Sequence, residues 1–392
     1  MKSKTVAIYS GAIPSSTFIE RLIVGLSNTD TIVYLFGQQN RKVTYTKNVQ
    51  VIGYGNKLSK LIVLLKYSIL LVLKKPKEKK KLDQIISAQK GNSILKKIKY
   101  YPVLYYQPNI FHLQWAKGIE DWLWVQEFGI KYVLSLRGTH LTISPIADLK
   151  LKKSYQDNFQ KIDGFHAVSN TILEEAKKYE PNLLKASVIY SGLDLEKLVY
   201  KEKIKRNPSL KIISIGRSHW VKGYTYALDA FSILKQANFK FEYTIFGIDT
   251  DEELLFQRNQ LDLEAEVSFK KAVAFDQIIE AIYNADIVLL PSIEEGVANV
   301  VLEAMALGTL VVATNCGGME EIVVNNENGF IVSLRNSKEI AEAILKVNKL
   351  PLSDYTAITK KGRLTIEKQH SNKKMIEDFN VFYLSVLNNI EE

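Results

Sequence analysis

Residues 291–318 read PSIEEGVANVVLEAMALGTLVVATNCGG, and this stretch passes from a loop through a helix into a buried strand. Residues 298–307 predict the helix, and Gly308 suits the position that follows a helix end. The apolar run at residues 310–313 predicts the strand. Glu295 then lies on the loop that enters the helix, and Glu303 lies about two turns along it. Two carboxylates beside a helix N-terminus, whose amides attract anions, suit a hydroxyl-rich ligand that carries a phosphate.

Short apolar runs that predict strands recur on both sides of this stretch, with helical stretches between several of them. In the first half they are residues 5–9, 31–36, 110–113, 132–136, 164–168 and 187–189; in the second half, 211–215, 241–246, 266–269, 286–290, 310–313 and 330–332. Such alternation is typical of a parallel sheet with helices on both faces. The expected fold class is α/β, with two Rossmann-like domains facing a central cleft and ligands at the carboxyl ends of the strands.

Length and composition agree with two globular domains. The chain has 392 residues, of which 46% are hydrophobic and 24% charged, enough to bury two sizeable cores. Residues 201–209, KEKIKRNPS, are polar and contain proline, so they predict a linker. The expected domains are therefore residues 1–200 and 201–375, followed by a C-terminal helix over residues 376–392.

A second motif follows the strand predicted at residues 211–215. It reads G-R-S-H-W-V-K-G, residues 216–223, and Gly216 permits a sharp turn after the strand. Arg217 can hold phosphate oxygens through two parallel hydrogen bonds, and Lys222 adds a mobile point charge. Two cations opposite a diphosphate would stabilise the charge that grows on a leaving nucleotide. Taken alone, the motif also fits an exposed basic loop; its combination with the two glutamates favours a phosphate site.

Together these motifs resemble the donor site of retaining glycosyltransferases of family 4, which have the GT-B fold. The resemblance lies in P-S-x-x-E-G, L-E-A-M-A-x-G, V-V-A-T and G-G-x-x-E within residues 291–321, and in G-R-x-x-x-x-K-G. Weaker matches are VIYSGLDL at residues 188–195, ADIVLLPS at 285–292, STFI at 16–19 and SLRGT at 135–139. In SLRGT, Arg137 stands where many members have histidine, so the resemblance implies only that Arg137 lies in the cleft.

The resemblance implies a hexosyltransferase that moves a sugar from a nucleotide diphosphate sugar to a glycan or lipid-linked acceptor in surface polysaccharide synthesis. Retention of anomeric configuration is implied as well; no cofactor is expected, and the residues considered below lead us to expect no metal. The donor-site candidates are Gly216, Arg217, Lys222, Glu295, Gly296, Val297, Ala298, Asn299 and Glu303, of which Glu295, Arg217 and Lys222 are the catalytic candidates. The acceptor-side candidates are Gly11, Ser16, Thr17, Gln114 and Arg137.

In the same family the first domain binds the acceptor and the second binds the donor. The end of the chain often crosses back to the first domain, and we expect the same of the C-terminal helix. Two alternatives remain open on the sequence. One is a nucleotide-sugar epimerase of the same fold, and the other is a non-catalytic protein that binds sugar nucleotides.

The positive charge of the chain is concentrated in residues 57–99. This segment holds thirteen lysines against Glu78 and Asp83, whereas the whole chain carries a net charge of +10. Residues 61–73, LIVLLKYSILLVL, are too few to span a bilayer. A basic apolar helix can lie in the interface of an anionic membrane, and we expect this contact, with a cytoplasmic location at the inner face of the cell membrane. A buried helix followed by a solvated lysine loop is the alternative. Nucleic-acid binding is less favoured, because residues 57–99 contain no arginine.

Few other residues suggest a metal or a disulfide. The D-x-D at Asp249 and Asp251 could hold a metal, but a loop with a helix cap explains it better. The five histidines show no close ligand spacing, and Cys316 is the single cysteine, so it has no intramolecular partner. The N-terminal apolar stretch is too short for a signal peptide and predicts a first strand instead.

Overall fold

The computed structural model describes residues 4–205 and 207–388, which divide into two compact units. The first unit takes in the chain up to residue 168, residues 172–192 and the chain from residue 372; the second takes in residues 169–171 and 193–371. Residue 206, in the predicted linker, and residues 389–392, in the predicted C-terminal helix, lie outside the described residues.

The first unit contains a seven-stranded parallel sheet in the order β3-β2-β1-β4-β5-β6-β7. Its strands are β1 (Thr5–Ile13), β2 (Ile32–Gln39), β3 (Val49–Tyr54), β4 (Ile110–Leu113), β5 (Lys131–Leu136), β6 (Gly164–Ala167) and β7 (Ala186–Val188). The second unit contains a six-stranded parallel sheet in the order β10-β9-β8-β11-β12-β13. Its strands are β8 (Leu210–Ile215), β9 (Phe241–Phe246), β10 (Val267–Lys270), β11 (Ile287–Leu290), β12 (Leu310–Thr314) and β13 (Phe330–Val332).

Helices form most of the connections between the strands, as is usual in parallel sheets. They are α1 (Thr17–Ser27), α2 (Lys57–Lys74), α3 (Pro76–Ala88), α4 (Ser93–Tyr106), α5 (Ile119–Trp122), α6 (Thr139–Thr142), α7 (Ser144–Ala147), α8 (Leu149–Asn158), α9 (Asn170–Lys177), α10 (Tyr224–Gln236), α11 (Glu252–Gln260), α12 (Phe275–Asn284), α13 (Asn299–Leu307), α14 (Ser337–Lys349), α15 (Leu352–Gln369) and α16 (Asn372–Asn388). The α/β fold class is thereby confirmed.

The structure corrects three details of the sequence interpretation. Strand β3 was not predicted, and β1 continues to Ile13 through a register shift against β2 between Ile8 and Gly11. Helix α13 begins at Asn299, so Glu303 lies just over one turn from its start rather than two. The lysines that follow α2 do not form a solvated loop, because they belong to helix α3.

The order of strands shows where each sheet can bind a ligand. In the first sheet the direction of winding reverses between β1 and β4, and in the second it reverses between β8 and β11. At such a switch point the loops that leave the carboxyl ends of the two strands separate and form a crevice. The motif that begins at Gly216 follows β8, and the loop that carries Glu295 follows β11. The second sheet therefore brings both predicted motifs to one edge.

Helix α16 completes the core of the first unit. Its apolar face lies in one buried cluster with α1 and with strands of the first sheet; the α16 members are Met375, Ile376, Phe379, Phe382, Tyr383 and Val386. The helices approach closely, since a Cβ atom on Gly25 would lie 2.4 Å from Ile376 Cδ1. A side chain on Gly164 of β6 would likewise meet Val386 Cγ2 at 2.6 Å.

Residues 193–371 belong to the second unit, whereas the sequence placed the first division after residue 200. Arg363 Nη1 donates to the carbonyls of Leu198 and Ala306, so this segment is held from within the second unit. Lys203 Nζ lies 2.6 Å from the buried Asp286 carboxylate. The polar residues that predicted a linker thus pack along the second unit.

Candidate functional site

The loop after β8 brings Lys222 to the edge of the second sheet. It forms a 3-10 helix over Trp220–Lys222 and then passes through Gly223 at a φ of +64°. A Cβ atom on Gly223 would lie 2.0 Å from the Pro291 carbonyl oxygen, so only glycine permits this approach. The backbone amide of Ile293 donates to the Val221 carbonyl at 2.7 Å, which ties the two loops together.

Lys222 and Glu295, both predicted as site residues, form an ion pair across these loops. The hydroxyl of Ser292 donates to the same Glu295 oxygen at 3.1 Å and fixes the orientation of the carboxylate. The two side chains keep 20% and 16% of their surface exposed, so a ligand can still reach both of them. Arg217 is exposed and makes no hydrogen bond or ion pair with other described residues. Lys222 is therefore neutralised by Glu295, whereas Arg217 remains available to a ligand.

The start of α13 offers a second kind of contact. The Val301 amide donates to the carbonyl of the N-cap residue, Ala298, at 3.0 Å, but Ala298 provides no side-chain hydrogen bond, so no side-chain cap competes with a ligand for the amides that precede Val301. The buried Asn299 Oδ1 has no hydrogen-bond partner within the described parts of the chain. A buried acceptor in this state suits a ligand hydroxyl. Glu303 follows on the same helix and is 8% exposed.

Two glycines that were not among the predicted site residues support the Glu295 loop. The Gly318 amide donates to the Gly296 carbonyl at 2.9 Å, and a Cβ on Gly318 would lie 2.5 Å from that oxygen. At Gly317, with a φ of +50°, a Cβ would lie 1.6 Å from the Glu295 carbonyl oxygen. Burial raises the pKa of the adjacent Cys316 thiol to about 12, so this cysteine stays protonated and is a poor nucleophile.

The first sheet gathers some of the predicted acceptor-side residues at the corresponding edge. Gln114 follows β4 and Arg137 follows β5, and Arg137 Nη2 donates to Gln114 Oε1 at 3.0 Å. Gly11 has a φ of +88° with open space beside it, because a Cβ there would meet nothing within 4 Å. Ser16 and Thr17 are exposed at the start of α1. The contact with Arg137 comes instead from the Phe18 ring, 4.5 Å from the guanidinium, which sequence reasoning missed.

Below Arg137 lies a chain of buried polar groups. His112 Nδ1 lies 2.8 Å from the hydroxyl of Tyr383 on α16, and His112 Nε2 lies 2.8 Å from Ser135 Oγ. Ser135 Oγ lies 2.8 Å from His166 Nδ1, and His166 Nε2 lies 3.0 Å from the Ile189 carbonyl oxygen.

The carbonyl at the end of this chain fixes the position of every proton. Since the Ile189 oxygen can only accept, His166 Nε2 donates, Ser135 donates to His166, His112 donates to Ser135, and Tyr383 donates to His112. Burial lowers the pKa of His166 to about 3 and holds the pKa of His112 well below 6.5. Both rings are therefore neutral and structural.

The D-x-D sequence is explained by helix capping, as predicted. Asp251 is the N-cap of α11 and accepts from the Leu254 amide at 2.9 Å, while Asp249 forms an ion pair with Lys271. Within residues 4–205 and 207–388, no group of three or more His, Cys, Asp or Glu side chains is placed to hold a metal ion.

Helix α2 presents an apolar face to solvent, which we call the α2 face. Its members, each between 51% and 73% exposed, are Leu58, Leu61, Ile62, Leu65, Ile69, Val72 and Leu73. At about 100° per residue these positions fall within an arc of about 120°. The opposite side of the helix packs into the core through Val63, Tyr67 and Leu71. No helix among the described residues has the length and apolar character needed to cross a bilayer.

The sequence and the fold were compared with known proteins. Residues 197–365 match the model of the family described as glycosyl transferases group 1. An amylovoran biosynthesis glycosyltransferase of Erwinia amylovora is 27% identical over 228 residues, 55% of this chain and 56% of the relative. An uncharacterized glycosyltransferase of Haemophilus influenzae is 31% identical over 215 residues, 53% of this chain and 59% of the relative. The chain thus spans little more than half the length of these curated relatives.

Solved structures share the fold over nearly the whole chain. An Anabaena protein, HepE, crystallised in complex with UDP-glucose, aligns with a TM-score of 0.69 at 16% identity, covering 97% of this chain and 99% of that chain. At this identity the likeness concerns the fold, and it supports the GT-B architecture of the two units.

Proposed function

We propose, on the premise that residues 197–365 belong to the glycosyl transferases group 1 family, that this chain transfers a hexosyl group from a nucleotide diphosphate sugar to a glycan or lipid-linked acceptor. The observation that carries the proposal is the meeting of Lys222 and Glu295 at the switch point of the second sheet. The exposed Arg217 and the uncapped start of α13 complete a site with two cations, a carboxylate and free amides. A relative named for amylovoran biosynthesis supports a role in surface polysaccharide synthesis.

Each group has a role in this reaction. Arg217 and Lys222 would hold the diphosphate and stabilise the negative charge that grows on it as the sugar leaves. Glu295 would accept hydrogen bonds from hydroxyls of the donor sugar, and Glu303 from those of the ribose. The amides of Gly296, Val297 and Ala298 would orient the sugar. Retention of configuration is a part of the proposal that follows from the family resemblance, and independence of metal is a part that follows from the sequence context of the D-x-D and the spacing of the histidines.

The proposal is tested with a panel of UDP-, GDP-, ADP- and dTDP-sugars in the presence of EDTA. We expect one donor class to raise the melting temperature and then to release free nucleotide slowly by hydrolysis. A folded protein that neither binds nor turns over any donor would contradict transferase activity. Stabilisation without release, even after glycan acceptors are added, would favour a non-catalytic sugar-nucleotide-binding protein. Release of nucleotide together with an isomerised free sugar would favour an epimerase.

We propose further that the α2 face binds the surface of an anionic membrane, so that a lipid-linked acceptor is presented to the first unit. Seven exposed large apolar side chains on one helix exceed what a monomer usually leaves uncovered. The surrounding residues 57–99 carry thirteen lysines against two acids, a charge that matches anionic headgroups. A concavity of about 540 Å³ adjoins the face; Asp83 in its lining pairs with Lys79, which leaves Lys80 as the cation there for a headgroup.

Vesicle sedimentation separates the apolar from the electrostatic part of this contact. Leu61→Ser with Leu65→Ser, and separately Lys77→Gln with Lys80→Gln, should each reduce binding to vesicles of equal phosphatidylglycerol and phosphatidylcholine. Leu364→Ser and Lys150→Gln with Lys152→Gln are matched controls on exposed positions elsewhere and should bind as the wild type does. Equal sedimentation of all variants would exclude the lipid contact, and concentration-dependent dimerisation that only the leucine variants abolish would show that the face binds a second copy.

A further inference from the structure

Arg137 and Gln114 share one hydrogen bond and leave two buried donors unused. The bond runs from Arg137 Nη2 to Gln114 Oε1 at 3.0 Å. Arg137 Nε and Gln114 Nε2 are both buried, and neither has a hydrogen-bond partner within the described parts of the chain. Buried N–H groups without acceptors are rare in folded proteins because each loses its hydration without compensation. Two of them in one bonded pair indicate a place prepared for an acceptor.

The charge of Arg137 is also uncompensated. It forms no ion pair with any described residue. The groups near it include Gln114, the Phe18 ring, the hydroxyl-bearing ring of Tyr383 and the neutral rings of His112 and His166. Burial lowers the pKa of Arg137 to about 9, so the guanidinium remains cationic at neutral pH. Arg137 keeps part of its surface exposed, but a largely desolvated cation without an anion is still costly, and an anionic ligand would offset that cost.

The neighbouring side chains suit a sugar. The Phe18 ring lies 6.1 Å from the ring of Trp115, and Trp115 lies 5.1 Å from the ring of His140. Trp115 is partly exposed at the carboxyl end of β4, beside Gln114. Aromatic faces next to a cation can contact the apolar side of a sugar ring while the cation holds an anionic substituent.

From this arrangement we infer that the first unit has a subsite for an anionic group carried by the acceptor sugar, held by Arg137 Nε and Gln114 Nε2. That the bound sugar is the acceptor of the reaction depends on the proposed function; the anion subsite itself does not. The chemistry is that of an oxygen anion with at least two lone pairs, either the carboxylate of a uronic acid or a phosphate attached to the sugar. Arg137 then binds the acceptor through an ion pair, and the inference assigns it no proton transfer.

The test observes Arg137 directly in the full chain. With arginine side chains labelled with ¹⁵N, the Nε–H resonance of Arg137 is the one lost in Arg137→Gln. UDP is held at saturation so that anions cannot occupy the donor site, and glucuronate, glucose 1-phosphate and glucose are titrated separately. We expect the two anions, but not glucose, to shift the Arg137 resonance, and Arg137→Gln to weaken their binding at least about tenfold. Arg335→Gln, which changes an exposed arginine of the second unit, is the matched control and should leave both affinities unchanged.

Each outcome of the titrations supports or overturns the anion subsite. A response to glucuronate alone identifies a uronic acid, a response to glucose 1-phosphate alone identifies a phosphate-linked sugar, and both support the subsite. No response to either anion, an equal response to glucose, or anion binding that survives in Arg137→Gln would overturn the inference. The donor proposal fails in a different way, through absent UDP-sugar binding or turnover, so the two failures can be told apart. Because Arg137→Gln also removes a buried uncompensated charge, its melting temperature without ligand should not fall, which shows that lost binding is not lost folding.

Discussion

At the scale of single residues, Lys222 and Glu295 form an ion pair, which under the proposed function would link phosphate binding to sugar binding. Without ligand, Lys222 is neutralised by Glu295, and Ser292 holds the carboxylate in place. A diphosphate that attracts Lys222 would loosen this ion pair and free the Glu295 oxygen for a sugar hydroxyl. The Glu295 carboxylate would therefore weaken the binding of a phosphate alone, because both bind Lys222. It would strengthen the binding of a donor that carries a phosphate and a sugar, because it also accepts a hydrogen bond from the sugar. A free nucleotide and a complete donor should consequently respond differently to substitution.

We predict opposite effects of two substitutions on UDP binding. Lys222→Met removes a charge-assisted contact worth about 1.5–3 kcal/mol and should weaken UDP binding by about tenfold to a hundredfold. Glu295→Gln removes the competitor of the phosphate, so UDP affinity should stay equal or rise while turnover of the nucleotide sugar is lost. Calorimetric titration with EDTA and a nucleotide-release assay measure the two quantities.

Lys271→Met provides the control for these variants. Lys271 forms an exposed ion pair with Asp249 on a neighbouring loop, and its removal should change neither quantity. Unchanged UDP affinity in Lys222→Met would refute its role as a phosphate ligand, and near-normal turnover in Glu295→Gln would refute the role given to Glu295.

At the scale of elements, helix α16 is fixed to the first sheet by polar as well as apolar contacts. Its Tyr383 begins the proton-ordered chain that passes through His112 of β4, Ser135 of β5 and His166 of β6. Each group donates once toward the Ile189 carbonyl, so the chain has a single consistent arrangement of protons. Arg137 directly follows β5, and the position of α16 therefore bears on the subsite inferred around it.

Tyr383→Phe should show how much this polar contact contributes. The substitution keeps the ring in the core but leaves the buried His112 Nδ1 without its donor, which costs about 1–3 kcal/mol. Leu384→Ala, at a half-exposed position on the same helix, should cost much less. Urea unfolding followed by tryptophan fluorescence measures both. Equal small losses in the free energy of unfolding of the two variants would mean that the Tyr383 hydroxyl does not help to hold α16 against the sheet.

The elements also show what the sequence could and could not reveal. Strands such as β4, β9 and β13 are short apolar runs with polar neighbours, and their bounds were predicted correctly. Strand β3, VQVIGY, is half-buried at the edge of its sheet and was missed although it is no more polar than β9, FEYTIF, so local pattern alone does not separate the two. The contact of His112 with Tyr383 joins residues 271 positions apart, which no local pattern contains.

The candidate site divides in the same way. Gly216, Arg217, Lys222 and Glu295 follow strands in recognisable motifs, and the topology brings those strands together. Phe18 and the unpaired donors on Arg137 and Gln114 depend on tertiary packing, which a single sequence does not show.

At the scale of the whole molecule, each unit carries a cation at the carboxyl edge of its parallel sheet, Lys222 after β8 and Arg137 after β5. In the second unit a carboxylate neutralises Lys222, whereas in the first unit no described residue neutralises Arg137. Under the proposals made above, the edge of the second unit would take a ligand with both anionic and hydroxyl groups and the edge of the first unit would take an anion. The buried tryptophans Trp122 and Trp124 lie in the first unit, and the tryptophan of the second unit, Trp220, is 59% exposed. Tryptophan fluorescence therefore reports mainly on unfolding of the first unit, and a shift produced by UDP would report on the second.

This difference allows the acid sensitivity of the first unit to be measured in the intact chain. Burial, with the Arg137 charge as the smaller cause, lowers the pKa of His166 from 6.5 to about 3. The unfolded chain therefore binds a proton below pH 6.5 that the folded chain refuses until about pH 3, so the stability due to neutral His166 is complete above pH 6.5 and is lost as the pH falls. The fluorescence melting temperature should fall between pH 7.5 and 5, and His166→Gln, though less stable at pH 7.5, should fall less steeply because it has no such group to protonate. Lys150→Gln should follow the wild type throughout. Parallel curves for wild type and His166→Gln would mean that the buried histidine does not set the acid sensitivity of this unit.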